Sequence, residues 1–217
     1  MSDSGDPFVI AIVLGLLALA PIVAIMVTSF AKLIIVMSLT RNALGLQQIP
    51  PNLVLNGLAL VLSLYVMAPV ATQMMQLAEQ RMANTELTPK VLFEVVSSTR
   101  EPLRSFLGKH VQPAEREFFL RSAGRLWPAE QAAALKGDDL MVLVPAFTVS
   151  ELTAAFKIGF IIYLAFVVVD LVVANVLVAL GMMMFSPTVV SIPLKLLLFV
   201  LLDGWSKLIH GLILTYR

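Results

Sequence analysis

Two long stretches of this chain contain no charged residue, and they constrain its fold more than any other feature. Residues 7–31 and 42–78 lack Asp, Glu, Lys and Arg over 25 and 37 positions. Hydrophobic residues make up 59% of the chain and charged residues 13%, against about a quarter charged in soluble domains. About 20 apolar residues cross a bilayer as a helix. Together with two later apolar stretches, this predicts four membrane spans, at residues 8–31, 53–77, 158–182 and 194–214.

The charged residues are concentrated in the middle of the chain, where residues 79–157 hold 20 of the 29 charged side chains. This distribution predicts an N-terminal apolar hairpin (1–78), a charged amphipathic helical domain (79–157) and a C-terminal apolar hairpin (158–217). Lys and Arg are enriched in the cytoplasmic loops of membrane proteins. The basic residues in both short connections therefore predict that these connections face the cytoplasm and that the charged domain lies on the periplasmic side.

Helix start and stop signals mark the charged domain and its border. Thr88 precedes Pro89, an arrangement typical of a helix N-terminus, and Pro102 is expected to interrupt that helix. Pro113 predicts the start of another helix. The sequence TVSE at 148–151 matches a capping box and predicts the start of the third long helix. Strand-like alternation is absent from the sequence, so the expected fold class is all-α.

Sequence motifs for catalysis, cofactors or nucleic acid are not found. The chain has no phosphate-binding G-x-x-x-x-G-K-[ST] loop, no G-x-S-x-G elbow and no cysteine. His110 and His210 lie in different regions, without metal-ligand spacing. A net charge of +1 gives no electrostatic basis for binding nucleic acid. We therefore expect a protein that is not an enzyme and holds no cofactor.

Five charged side chains interrupt the apolar segments: Lys32, Asp170, Lys195, Asp203 and Lys207. Each costs about 2.5–3.5 kcal/mol at a bilayer centre unless it pairs or reaches water. Asp203 and Lys207 are four positions apart and are expected to pair along one helix face. Lys32 and Lys195 lie near predicted helix ends, where their side chains can extend to the interface. Asp170 is either a proton carrier or half of an ion pair between helices or subunits, and we favour the pair because an isolated acid makes a poor relay.

Small residues recur at helical spacing in two apolar segments. Ala11, Gly15 and Ala18 follow an i, i+4, i+7 pattern, and Gly204 and Gly211 are seven positions apart. Small residues on one face let helices approach closely in apolar surroundings. The pattern is common, so it indicates helix packing without specifying an oligomer.

Three consecutive methionines, Met182, Met183 and Met184, follow the third apolar segment. In a generic membrane helix they would face lipid or fill a core. Gly181 before them and Ser186-Pro187 after them disfavour a continued helix, so a loop is expected. Methionine is flexible and apolar, and it fits irregular shapes. A ring of such loops, one per subunit, would form a soft apolar seal that closes around a passing chain and excludes water.

Four long blocks of the sequence resemble the R component of the type III secretion export apparatus, whose flagellar counterpart is the P protein of the flagellar export gate. They are TSFAKLIIVMSLTRNALGLQQIPPN (28–52), LVPAFTVSELTAAFKIGF (143–160), DLVVANVLVALGMMMFSP (170–187) and PLKLLLFVLLDGW (193–205). The virulence, or injectisome, branch is the more similar one. It is indicated by LWP at 126–128, by the ending DGWSKLIHGLILTY, and by the absence of the basic leader that a secretory signal requires.

The resemblance implies a channel-forming subunit for unfolded export substrates in the bacterial inner membrane. It implies a homopentamer that joins the S and T components in a helical, cone-shaped pore, with the U and V components and the basal rings nearby and much of the complex on the periplasmic side. In this family the methionine loops close the channel, which here assigns that role to Met182, Met183 and Met184. It also implies that the apolar segments form bent hairpins rather than simple spans.

A small proton-coupled transporter that uses Asp170 is the competing hypothesis. Such a transporter typically carries paired half-sequences with broken helices, and we find no such repeat. One position departs from the family pattern, because many relatives have proline where this chain has Ala165. Loss of that proline is expected to straighten or loosen a bend in the third long helix before Asp170.

Overall fold

The structure is a computed structural model that describes residues 7–82 and 89–217. Thr88, the predicted N-cap, lies outside these residues. Within them the chain forms nine helices and no strand, which confirms the all-α fold class. The helices are α1 (Pro7–Met26), α2 (Phe30–Ala43), α3 (Asn52–Met82), α4 (Pro89–His110), α5 (Pro113–Leu126), α6 (Ala129–Ala134), α7 (Leu140–Ala179), α8 (Pro187–Leu201) and α9 (Gly204–Leu214).

Proline sets the start of several helices. Pro113 and Pro187 are the first residues of α5 and α8. Proline lacks a backbone N–H, and at the first position of a helix this group would have no acceptor within the helix. The prediction that a helix starts at Pro113 is confirmed. In contrast, Pro102 does not interrupt α4, which is continuous from Pro89 to His110. Pro102 is buried and α4 packs along α3, so tertiary packing maintains the helix despite one missing hydrogen bond.

The predicted capping box at 148–151 is not a helix start. Helix α7 begins at Leu140, after Asp139 in an extended conformation. Inside the helix, the Thr148 hydroxyl donates to the Val144 carbonyl, and the Ser150 hydroxyl donates to the Ala146 carbonyl. A Ser or Thr side chain that bonds back to the preceding turn is compatible with a helix interior, so the motif alone misplaced the boundary.

Two of the four predicted membrane spans are not simple helices. Residues 8–31 are divided between α1 and α2 by a break at residues 27–29. Residues 194–214 are divided between α8 and α9, which are bent by 61°. In the described part of the chain, α3 and α7 are long and apolar enough to cross a membrane. Helices α8 and α9 form a third candidate only if the two are counted as one bent span. The bent-hairpin expectation therefore fits better than four straight spans.

The short helix α2 is the centre of the packing. It lies against α7 and α3, and its buried side chains form one apolar cluster with residues of α3, α7 and α9: Leu33, Val36, Met37, Leu55, Ala59, Ala155 and Leu212. At Gly159 of α7, an added Cβ would come within 2.3 Å of a Leu39 methyl carbon of α2. Glycine fits there as the chain is packed, whereas even an alanine would require the Leu39 side chain to shift.

A second apolar cluster joins α3 and α4 to the first part of α7. Its buried members are Val27, Val70, Phe106, Leu107, Val111, Leu143, Ala146 and Phe147. The first turns of α7 thus pack on helices of the charged region, and its later turns continue into the C-terminal hairpin. The border expected at residues 157/158 lies inside this single helix.

Candidate functional site: the methionine segment and the buried charges

The methionine segment, residues 180–186, connects α7 to α8. Gly181 has a φ of +75°, a left-handed conformation that glycine adopts without strain, and it ends α7 directly before the methionines. The Phe185 backbone N–H donates to the Met182 carbonyl at 3.1 Å, which closes a turn around the methionines. The loop expected from the flanking Gly and Ser-Pro is present.

The side chains of the methionine segment are exposed in the single chain. Met182, Met183 and Met184 are 40%, 78% and 102% exposed, and Leu180 and Phe185 beside them are also exposed. None of these side chains belongs to either apolar cluster of the described residues. Consecutive exposed apolar residues at a helix-to-helix turn are unfavourable in water, so this segment has the character of a contact surface.

Asp170 and Lys195 form an ion pair between α7 and α8. The Lys195 Nζ lies 2.5 Å from Asp170 Oδ2 and also donates to the Ala43 carbonyl at 3.2 Å. The lysine side chain is 5% exposed and the aspartate side chain 39% exposed. The structure therefore pairs Lys195 inside the chain, in place of the expected extension to an interface, and it places Asp170 in an interhelical pair.

Lys32 is buried in a second ion pair, with a partner that the sequence did not indicate. Its Nζ lies 3.0 Å from Glu151 Oε1 on α7, and both side chains are about 5% exposed or less. The Tyr216 hydroxyl donates to the other oxygen of Glu151, and the Lys32 Nζ lies 3.8 Å from the centre of the Tyr216 ring. The predicted extension of Lys32 to an interface is wrong, because the side chain is enclosed by α7 and Tyr216.

The electrostatics of this cluster follow from its burial. Burial lowers the pKa of Lys32, and the Glu151 carboxylate opposes that change. Burial raises the pKa of Tyr216, and the same carboxylate raises it further, so the phenol remains a hydrogen-bond donor. The sequence did not indicate Glu151 as the partner of Lys32, because Glu151 lies in the charged region. One signal could have indicated it: Glu151 lies only seven residues before an uncharged stretch begins.

The expected pair of Asp203 and Lys207 does not form among the described residues. Asp203 precedes α9 in a left-handed conformation with φ 51°, and its carbonyl accepts the Lys207 backbone N–H at 3.0 Å. Both side chains are exposed. The i, i+4 prediction requires both residues to lie within one helix. Asp203 lies at the bend before α9, so its side chain does not share a helix face with Lys207.

The small residues divide into two kinds. Ala11's side chain lies outside the described residues, whereas Gly15, Ala18 and Gly211 are exposed, and an added Cβ at Gly15 or Gly211 would meet nothing within 4 Å. At Gly204 an added Cβ would come within 2.3 Å of the Phe199 ring. Gly204 thus permits the bend between α8 and α9, and the close approach of two helices occurs at Gly159, where α7 meets α2.

No group of three or more His, Cys, Asp or Glu side chains in the described ranges could hold a metal ion. The features that these ranges do contain are long apolar helices, buried ion pairs between them and an exposed apolar turn. Together they define an all-α membrane protein with many exposed apolar side chains.

Comparison with known proteins identifies the family. The FliP family matches residues 13–212, which is most of the chain. Similar proteins include "Yop proteins translocation protein R" of Yersinia pestis, 54% identical over 214 residues and covering 97% of both chains. "Hypersensitivity response secretion protein HrcR" of Ralstonia nicotianae is 53% identical and covers 93% of both chains. "Virulence protein YscR" of Salmonella typhimurium is 42% identical over the full length of both. The chain belongs to the FliP family.

Proposed function

We propose that this protein is a channel-forming subunit of a type III secretion export apparatus, which passes unfolded proteins across the bacterial inner membrane. The observation that carries the proposal is the exposed methionine segment at the end of α7, where Met183 and Met184 are 78% and 102% exposed. The names of similar proteins, which refer to secretion and translocation, support the same function.

Met182, Met183 and Met184 have the properties that a closing element requires. Methionine side chains are unbranched and apolar, so several copies can pack against one another and separate again around a passing polypeptide. An apolar constriction also tends to exclude water and ions. In the single chain these side chains have no apolar cluster to join, which supports a surface completed by other subunits.

The partners follow from the same proposal. Further copies of this chain, as a homopentamer, would join the S and T components in a cone-shaped pore, next to the U and V components and the basal rings of the secretion system. The exposed apolar residues of α3 and α7, including Leu60, Leu64, Phe160 and Ile161, would contact subunits or lipid. The charged region, residues 79–157, would lie on the periplasmic side. The proposal requires neither catalysis by this chain, nor a cofactor, nor nucleic acid.

Ion leakage through the assembled complex tests the proposal. We expect the triple change Met182→Ala, Met183→Ala and Met184→Ala to raise the ionic conductance of the complex with S and T in planar bilayers, because alanine is too short to close the pore. The triple change to leucine, which conserves apolar volume, should raise it less.

The matched control is Met74→Ala with Met75→Ala in α3, which removes methionines away from the segment and should leave conductance unchanged. Assembly of each variant is checked by its co-purification with S and T. Unchanged conductance in an assembled triple-alanine complex would contradict the sealing role, while leaving the channel role to other residues.

The competing hypothesis, a proton-coupled transporter using Asp170, receives less support from the geometry. The structure places Asp170 in an ion pair with Lys195 between α7 and α8, with 2.5 Å between Oδ2 and Nζ, which supports a structural role for this carboxylate. Proton-linked flux in liposomes that contain this chain alone would support the transporter and contradict our proposal.

A further inference from the structure

Three basic side chains are buried in the described part of the molecule, and one of them has no carboxylate partner there. Lys32, Arg41 and Lys195 are 4%, 9% and 4% exposed. Lys32 pairs with Glu151 and Lys195 with Asp170. No Asp or Glu of the described residues lies in ion-pair contact with Arg41, whose side chain reaches only neutral oxygens. A buried cation without an anion is costly, so Arg41 indicates a ligand that the described residues do not supply.

Hydrogen bonds fix the Arg41 guanidinium in the connection between α2 and α3. Its Nη1 donates to the Pro50 carbonyl at 3.0 Å and to Asn52 Oδ1 at 2.7 Å. Its Nε is buried and has no acceptor. The guanidinium is thus held in place by one nitrogen, and part of its donor capacity remains unused.

A polar cavity of about 350 Å³ adjoins this guanidinium, lined by Arg41, Gln47, Gln48, Pro51 and Asn52. Both glutamines are exposed, so their amide groups can rotate to donate into the cavity. The volume is about ten times the roughly 30 Å³ that one water molecule occupies. It therefore admits a phosphate with part of its ester group, which is more than a single carboxylate would fill.

We propose that this cavity binds the phosphate group of an anionic membrane lipid. Guanidinium groups match phosphate oxygens in geometry and charge, and amide N–H groups complete the binding of the remaining oxygens. Helix α3, which begins at Asn52, is one of the two helices long and apolar enough to cross a membrane. The cavity lies at the first residue of this helix, and the end of a helix that spans a bilayer is the level at which lipid phosphates lie.

The inference is independent of the methionine seal and requires only that α3 lies in a membrane. A carboxylate of another subunit is the other anion that could reach Arg41. The cavity volume and its position beside α3 favour the lipid, and the experiment below separates the two.

Native mass spectrometry of the purified chain, with defined lipids added to the detergent, tests the proposal. The probes are phosphatidylglycerol, uncharged diacylglycerol with the same acyl chains, and inorganic phosphate. We expect preferential binding of phosphatidylglycerol, and we expect Arg41→Gln to weaken it by at least about tenfold, as for loss of a charge-assisted hydrogen bond. Arg41→Lys should restore part of the affinity, because it returns the charge without the planar fork.

The matched control is Arg81→Gln, which removes an exposed arginine at the other end of α3 and should leave lipid binding unchanged. If Arg41→Gln does not fold, Gln47→Ala with Gln48→Ala removes cavity donors and leaves the Arg41 hydrogen bonds intact, and it should weaken binding several-fold. Equal binding of phosphatidylglycerol and diacylglycerol, or unchanged binding in the folded variants, would overturn the proposal. Inorganic phosphate binding as tightly as the lipid would overturn the lipid assignment. The lipid assignment would also be overturned if Arg41→Gln lost subunit assembly but kept its lipid binding. That result would assign the cavity to an acidic residue of another subunit.

Discussion

The buried ion pairs between different helices differ from the exposed ion pairs within the helices of the charged middle region. Lys32 and Glu151 are 119 positions apart and their side chains are 5% and 4% exposed, whereas Arg121 and Glu117 lie one helical turn apart at 71% and 63% exposure. Water solvates the Arg121–Glu117 pair in both the folded and the unfolded state. Only the Lys32–Glu151 pair loses its water when the chain folds. A few buried charges therefore connect helices that are far apart in the sequence, whereas 20 of the 29 charged residues lie in the middle region, residues 79–157.

The largest effect is expected for Glu151→Gln. This change leaves the Lys32 ammonium buried without a counter-charge, and breaking a buried pair costs about 3–5 kcal/mol. The free energy of unfolding, measured by denaturant titration of the purified chain in detergent micelles, should fall by that amount.

The double variant Lys32→Met with Glu151→Gln is the control for Glu151→Gln. It removes the stranded charge, and the glutamine oxygen can still accept the Tyr216 hydroxyl. We expect it to recover at least about half of the lost stability, because neutral groups often replace a buried pair without loss. A double variant as unstable as the single one would show that packing around Glu151, and not the buried charge, decides the stability.

Asp170→Asn should have an intermediate effect. Lys195 loses its counter-charge but keeps the Ala43 carbonyl as an acceptor, and Asp170 Oδ1 makes no hydrogen bond that the change could remove. We expect a loss of about 1–3 kcal/mol in the same titration. Asp203→Asn is the matched control, since that exposed carboxylate has no ion-pair partner among the described residues, and it should change the stability little. Equal effects of the two substitutions would remove the distinction between paired and unpaired acids in the apolar segments.

The sequence predicted the fold class and the position of the methionine loop because these depend on local patterns. Long uncharged stretches gave the apolar helices, and Gly181 with Ser186-Pro187 gave the loop. It did not predict the partners of Lys32 and Lys195, since Glu151 lies 119 positions from the first and Asp170 lies across a loop from the second. Ion pairs between helices depend on how the helices pack, and local patterns in the sequence do not show which residues that packing brings together.

Local signals failed where tertiary contacts opposed them. Pro102 suggested a helix end, but packing of α4 on α3 keeps the helix continuous. The spacing of Asp203 and Lys207 suggested a pair, but the bend after α8 separates their faces. The packing glycine of the long helices, Gly159, was missed because the small-residue patterns were sought only in other segments, and its role depends on the approach of Leu39 from α2.

The smallest effect is expected for Glu117→Gln on α5, which breaks the exposed pair with Arg121 without burying or exposing any charge. The two side chains are four positions apart, 3.5 Å between Nη1 and Oε1, and pairs of this kind stabilise a helix by about 0.3–0.5 kcal/mol. The free energy of unfolding should therefore fall by less than about 0.5 kcal/mol. The difference should vanish in about 1 M salt, where the screening length is close to 3 Å. Glu151→Gln should keep most of its effect in the same salt, because ions do not enter the interior. A loss at Glu117 as large as that at Glu151 would show that burial does not set the strength of ion pairs in this protein.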